Sequence, residues 1–141
     1  MNENDCLFCR IFAHLEKASI VYEDENTMGF IDTFPRLAKG QCVVIHKHHL
    51  EQFYQLEDIE LAEMMVAVKR VAIKMEKVFS AKYVCVFSRG QTFPHAHMLV
   101  YPSEPLCTIN GVLETLEAMR KLALDTTGAS LEETAKKIAE A

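Results

Sequence analysis

One long segment with helical periodicity lies in the middle of the sequence and constrains the fold more than any other feature. Between about Leu56 and Ser80, apolar residues recur every three or four positions, with Glu, Lys and Arg between them. The apolar positions are Ile59, Leu61, Met64, Met65, Val68, Val71, Ala72, Met75 and Phe79. Three strand-like segments precede this helix and two follow it. We therefore predict an α+β fold, a meander of about five strands crossed by one long helix.

The predicted strands are recognised either by the turn residues that bound them or by their own high content of β-branched residues. They cover residues 18–23, 27–33, 41–47, 82–87 and 95–101. Beyond Pro105, periodicity predicts a helix over residues 112–124, and Ser130 with Glu133 forms a capping-box pattern for a final short helix. We expect one domain over residues 1–141 with a C-terminal helical extension over 111–141.

The composition limits the classes of partner. With 141 residues, half of them hydrophobic, the chain can bury one sizeable core. Its 15 basic and 20 acidic residues give a net charge of -5, which disfavours bulk nucleic acid but leaves room for a small nucleotide. No apolar run is long enough to cross a bilayer, so we expect no membrane partner and a cytoplasmic location, with the nucleus as an alternative. Five cysteines without a secretory signal indicate reduced thiols.

The segment PHAHMLVY carries the first candidate site. Strand alternation places four side chains on one face: His95, His97, Leu99 and Tyr101. Two imidazoles thus stand side by side after a loop in which Gly90 allows close backbone approach and Gln91 and Thr92 offer short polar groups. Such a loop suits an anionic phosphate. The alternative interpretation is an ordinary hairpin connection.

The N-terminal segment Cys6-Leu7-Phe8-Cys9 carries the second candidate site. Two thiols separated by two residues can sit on one tight turn and form half of a tetrahedral zinc centre. The candidates for the other ligands are His46, His48, His49 and His95. Two unmetallated cysteines and a solvated histidine cluster remain an equal alternative on spacing alone.

The third candidate site is the segment Phe30-Ile31-Asp32, followed by a loop containing Pro35. An ionised carboxylate at the end of a strand can accept hydrogen bonds from sugar hydroxyls. The same residue is also common in plain turns before a proline.

Together these motifs resemble the histidine-triad (HIT) family over residues 6–102. The resemblance rests on their order along the chain: CLFCRI, VYED, FIDTFP, GQCVVIHKHH, the long helix and GQTFPHAHMLVYP. It implies a five-stranded antiparallel sheet in each subunit. It also implies a homodimer that pairs two sheets through the long helix and the strand beside it.

The resemblance also implies site residues. His97 matches the middle histidine of the family triad, which becomes nucleotidylated. A purine nucleotide site is implied, with Asp32 at the ribose, Phe30 and Ile31 beside it, and Gln91 and Thr92 at the phosphate. The zinc-containing members imply a structural zinc ion on four residues: Cys6, Cys9, His49 and His95. Implied substrates are nucleoside phosphoramidates, aminoacyl adenylates and dinucleoside polyphosphates.

The hypothesis for the mechanism is a nucleotidyl transfer. A backbone carbonyl would hold one nitrogen of His97 while the other attacks the α-phosphorus, and water would then release the nucleoside monophosphate. The sequence departs from the family pattern at Leu99, the third triad position, and at Gln41 and His46. The departures leave two alternatives: a nucleotide-binding regulator without catalysis, and an interaction protein stapled by zinc.

Overall fold

The computed structural model describes residues 5–88, 93–103 and 128–140. The chain forms two compact units, Met1–Ile109 and Asn110–Ala141. The first unit contains helices α1 (Leu7–Phe12) and α2 (Asp58–Phe79) and five strands. The strands are β1 (Ile20–Glu23), β2 (Thr27–Ile31), β3 (Cys42–His46), β4 (Val84–Phe87) and β5 (His97–Pro102). A single domain over residues 1–141 stays a prediction.

The five strands form one antiparallel sheet in the order β1-β2-β3-β5-β4. This confirms the predicted α+β fold, but the predicted meander was wrong: β5 lies between β3 and β4, because α2 carries the chain from the central strand to the edge of the sheet. Strand β3 lies at the centre, and every one of its side chains is buried. Its residues alternate between two cores: Cys42 and Val44 pack on the α2 side, whereas Val43 and Ile45 pack with α1.

Helix α2 covers one face of the sheet, as its periodicity predicts. A capping box between Glu57 and Glu60 begins the helix, and Ser80, in the left-handed conformation with φ of 51°, follows its last residue. The buried stripe contains Met64, Ala67, Val68, Val71 and Met75. Strand β2 approaches this stripe closely at Gly29, where an added Cβ would lie 2.9 Å from Val71 Cγ2.

Helix α1 covers the opposite face and was not predicted, because the sequence indicated only a tight turn around the two cysteines. Cys6 is the N-cap residue, and Cys9 lies inside the first turns. Phe8 and Ile11, three positions apart, are buried against the core of β2 and β3. A helix of six residues is too short for periodicity to distinguish it from a turn.

Of the second unit, the structure describes helix α3 (Gly128–Ala139), in which Lys137 pairs with Glu133 one turn earlier at 2.6 Å. The short helix predicted from Ser130 and Glu133 is present, and among the described residues it includes two residues before Ser130. The helix predicted over residues 112–124 lies outside the described residues. In the part of the chain that is described, no helix has the length and apolar character needed to cross a membrane.

Candidate functional site

Four potential metal ligands from three distant parts of the chain converge on the α1 side of the sheet. They are Cys6, Cys9, His49 and His95, and their ligand atoms all lie within 4.8 Å of one another. Cys6 Sγ and Cys9 Sγ each lie 3.4 Å from His95 Nδ1. Cys9 Sγ lies 3.2 Å from His49 Nδ1, and the two Nδ1 atoms are 3.3 Å apart.

These distances fit a tetrahedral zinc site. With Zn–N near 2.0–2.1 Å and Zn–S near 2.3 Å, an ideal tetrahedron has N···N edges of about 3.4 Å and S···N edges of about 3.6 Å. The donor set of two thiolates and two imidazoles also favours zinc over magnesium or calcium. The residues present therefore fit a structural zinc ion in chemistry and in spacing.

The hydrogen bond made by Nε2 of His95 orients its ring for metal binding through Nδ1. His95 Nε2 donates a hydrogen bond to the backbone carbonyl of His46 at 2.8 Å, so the lone pair of the ring lies on Nδ1, facing the cysteines. Burial, with a smaller contribution from the neighbouring imidazoles, lowers the pKa of His95 to about 4, although the hydrogen bond to the His46 carbonyl opposes that shift. The ring is thus in the neutral form that a metal requires.

His97, the first residue of β5, has the opposite tautomer. Its Nδ1 donates to the backbone carbonyl of His95 at 2.7 Å, which puts the lone pair of the ring on Nε2. Burial lowers the pKa of His97, although the hydrogen bond to His95 and the charge of Asp32 oppose that shift. The result is a buried, neutral imidazole with the lone pair oriented on Nε2.

A cluster of aromatic rings lies on one side of this imidazole, with Phe8 in contact with it. The ring of Phe8 meets His97 edge-on with centroids 5.3 Å apart, and it meets His95 in the same way at 5.8 Å. Phe93 stacks on Phe8 at 5.0 Å, and Phe30 lies edge-on to Phe8 at 5.7 Å. The sequence analysis did not assign Phe8 or Phe93 to the site; the signal was their position, between the two cysteines and directly before the Pro-His pair.

Asp32 follows β2 and is held by two donors. Its Oδ2 accepts a hydrogen bond from Gln41 Nε2 at 2.5 Å, and its Oδ1 accepts one from the Phe34 amide at 2.8 Å. The backbones of Asp32 and Gln41 are also paired, because the Asp32 amide donates to the Gln41 carbonyl at 2.9 Å. The charge of Asp32 raises the pKa of His97, so the carboxylate acts on the same site.

The structure brings together most of the residues assigned from the sequence. Phe30 packs on the α1 side with the residues around His97, whereas Ile31 packs against the α2 core on the other face. Leu99 packs on the α1 side and offers no hydrogen-bonding group. Gln91 and Thr92 lie outside the described residues.

Comparison with known proteins gives the family. The family model described as "HIT domain" matches residues 14–106. An uncharacterized HIT-like protein of Methanocaldococcus jannaschii is 34% identical over 101 residues, which are 69% of this chain and 78% of that protein. A Zn-bound histidine triad family protein of Mycobacterium smegmatis has a similar structure, with a TM-score of 0.66, 27% identity, and coverage of 72% of this chain and 76% of that one.

A third relative has a named activity. The asymmetrical bis(5'-nucleosyl)-tetraphosphatase of Schizosaccharomyces pombe is 28% identical over 90 residues, which are 60% of this chain and 49% of that protein. With the family model matching most of its length, the chain belongs to the HIT family. It is thereby placed among the nucleotide-binding hydrolases of that superfamily.

Proposed function

We propose that the protein is a nucleotidyl hydrolase or transferase that acts on purine nucleoside phosphoramidates or related phosphoanhydrides through a nucleotidyl-His97 intermediate. The observation that carries the proposal is the hydrogen bond from His97 Nδ1 to the His95 carbonyl at 2.7 Å. This bond selects the tautomer in which Nε2 can attack phosphorus, and burial favours the neutral ring.

The reaction has two steps. First, the Nε2 lone pair of His97 bonds to the α-phosphorus while the bond from phosphorus to the leaving group breaks. The leaving group departs with the bonding electron pair, and a leaving amine takes up one proton. Water then attacks the same phosphorus and loses a proton while the bond from phosphorus to Nε2 breaks. The electron pair of that bond returns to Nε2, which regenerates neutral His97 and releases the nucleoside monophosphate. In a transferase reaction another hydroxyl or amine takes the place of water.

The remaining site residues bind the nucleotide. Asp32 accepts hydrogen bonds from ribose hydroxyls, and Phe30 forms part of an apolar wall. Ile31, packed on the other face, fixes the backbone that carries Asp32. Gln91 and Thr92 contact the phosphate, where polar groups and backbone amides stabilise charge on its oxygens.

In the same proposal zinc is held by Cys6, Cys9, His49 and His95. When bound, the ion supplies a cross-link between α1 and the sheet rather than a contact with substrate. We also propose a homodimer. Apolar side chains on the outer face of α2 (Val66, Ile73) and on the edge strand β4 (Val86, Phe87) are between 43% and 46% exposed, which supports a partner surface there.

The test is the release of AMP from an adenosine phosphoramidate by purified protein. We expect release by the wild type and by His14→Ala, a control at an exposed histidine outside the site, and loss of release in His97→Ala at unchanged AMP affinity. Release that persists in His97→Ala would contradict the proposed nucleophile.

A second candidate function is a nucleotide-binding regulator without catalysis. Leu99 favours it, because an apolar side chain at the third triad position cannot donate or accept a hydrogen bond. This alternative predicts AMP binding by the wild type without release. A third alternative, an interaction protein whose fold is held together by zinc, predicts no AMP binding at all.

A further inference from the structure

The strongest further observation concerns Gln41, a residue that lies beside the site but has no role in the mechanism above. Its side chain is only 2% exposed, and both ends of its amide are hydrogen-bonded. Oε1 accepts from the Leu37 amide at 3.1 Å, and Nε2 donates to Asp32 Oδ2 at 2.5 Å. Because the Leu37 amide can only donate, the orientation of the Gln41 amide is fixed, and its N–H must face Asp32.

The register of the sheet places Gln41 on the face of His97. Val43 pairs with Phe30 on one side and Leu99 on the other, and Ile45 pairs with His97. Gln41 precedes Val43 by two positions, so its side chain lies on the same face of the sheet. Gln41 therefore lies between Asp32, at the end of β2, and strand β5, which carries His97.

The backbone leading to Gln41 has little freedom. Gly40 has φ of +84°, and an added Cβ would lie 2.2 Å from the Phe79 ring at the end of α2. The packing of α2 thus fixes where the chain enters β3. The position of the Gln41 amide is set by this entry and by the Leu37 amide together.

Asp32 retains acceptor capacity after these contacts. One hydrogen bond reaches each of its oxygens, whereas an ionised carboxylate offers about four lone-pair sites. Without the Gln41 amide, Oδ2 would lose its protein donor and the carboxylate could rotate toward other partners. A carboxylate that is already fixed loses no further conformational entropy when a ligand binds. It can therefore discriminate between ligands with and without a matching hydroxyl.

We infer that Gln41 is a positioning residue that holds Asp32 in the orientation that selects ribonucleotides over 2′-deoxyribonucleotides. The inference rests on the proposed function, in which Asp32 contacts the ribose. Gln41 acts through Asp32. A glutamine serves this purpose at every pH, because its amide does not titrate.

The experiment measures Kd for AMP and for 2′-deoxy-AMP by calorimetry on the full chain. For the wild type we expect a preference for AMP of about tenfold, the factor for one hydrogen bond to a charged group. In Gln41→Leu we expect the ratio to fall to roughly twofold or less. In Gln41→His, whose ring N–H can donate to Asp32, most of the preference should return. Gln55→Leu is the matched control, because this glutamine is exposed and lies away from Asp32. It should keep the wild-type ratio of the two Kd values.

Melting curves of each variant are measured alongside the two Kd values. If Gln41 only stabilised the fold, its replacement would lower the Tm and leave the ratio of the Kd values unchanged. Should Gln41→Leu fail to fold, Gln41→Met, which has a side chain of similar length, replaces it. Its thioether sulfur cannot donate a hydrogen bond to Asp32, so the preference should again be lost. A ratio that stays near tenfold in the folded Leu or Met variant overturns the inference.

The outcome also separates this inference from the proposed function. A wild type that binds AMP and 2′-deoxy-AMP equally would overturn the role of Gln41 while His97-dependent release stands. A wild type that binds neither nucleotide would overturn both.

Discussion

Two histidines only two positions apart hold their protons on different nitrogens. His95 donates from Nε2 and turns Nδ1 toward the cysteines, whereas His97 donates from Nδ1 and keeps its lone pair on Nε2. In both cases the acceptor is a backbone carbonyl, so the assignment depends on the fold and on no other side chain. One short segment thereby provides both the proposed metal ligand and the proposed nucleophile.

Cys42 yields a prediction at the same scale. Burial, together with the charge of Asp32, raises the pKa of the Cys42 thiol to about 11 from its ordinary value of 9.0. At pH 8 the thiolate fraction should thus be roughly a hundredfold lower than for an ordinary thiol. We expect iodoacetamide to leave Cys42 unmodified in the native protein at pH 8, to react faster as the pH approaches 11, and to react readily in urea. Peptide mass spectrometry measures this; rapid native labelling at pH 8 would contradict it.

At the scale of elements, α2 has a well-capped beginning and a strained end. Glu57 and Glu60 satisfy amides at its N-terminus, but Ser80 adopts the left-handed conformation that side chains with a Cβ disfavour. Nothing in the periodicity of the helix indicates that strain. The sequence predicts where such a helix lies better than how it stops.

Ser80→Gly should therefore stabilise the protein. Glycine adopts positive φ without the steric cost, and we expect the free energy of unfolding to rise by about 0.5–1 kcal/mol. Urea denaturation measures the change. Ser80→Ala is the control, since it keeps the Cβ and should not stabilise; equal stabilisation in both variants would show that backbone strain is not the cause.

The three histidines at the end of β3 and just beyond it show what spacing could predict and what it could not. The Cys6 and Cys9 pair predicts half of a metal site, but the sequence alone does not choose among the histidines. In the structure only His49 turns toward Cys9, whereas His46 donates to Glu63 and His48 pairs with Glu60. That choice depends on the local backbone and on α2, which places both glutamates.

Long elements were predictable and short ones were not. The sheet and α2 follow from periodicities sustained over many residues, so their positions were correct within a few residues. Helix α1 and the aromatic contacts of Phe8 depend on tertiary packing between distant segments. No local pattern encodes such contacts.

On the scale of the whole molecule, the candidate metal centre joins the N-terminus, the segment after β3 and the entry to β5. A metal ion there closes long loops and stabilises the fold through the sites it connects. The zinc proposal thus carries a prediction about stability that is independent of catalysis.

We expect the purified protein to contain about one zinc ion per chain, measured by elemental analysis. Chelation or Cys9→Ser should lower the Tm by at least about 5 °C, because α1 loses its link to the sheet. His48→Ala, at a neighbouring exposed histidine, should change neither value. A Tm unchanged after complete zinc removal would exclude a structural role for the ion.

The proposed homodimer is also a property of the whole molecule. Val86 is 45% exposed on β4, an edge strand in the order of the sheet. We expect sedimentation velocity to give twice the 16.0 kDa chain mass and Val86→Lys to shift the protein to monomer, since a buried charge at a paired edge is unfavourable. Leu15→Lys, at another exposed apolar residue, is the control. A monomeric wild type would overturn the proposal.

The interleaving of cysteine and phenylalanine at the N-terminus limits how this segment can change over evolution. Cys6 and Cys9 belong to the candidate metal centre, while Phe8 between them packs on His97. One inserted residue would rotate everything after it by about 100° around the axis of α1. It would separate either the thiols from each other or the ring from the imidazole. Leu7, 43% exposed, can be exchanged freely, but the length of the segment cannot.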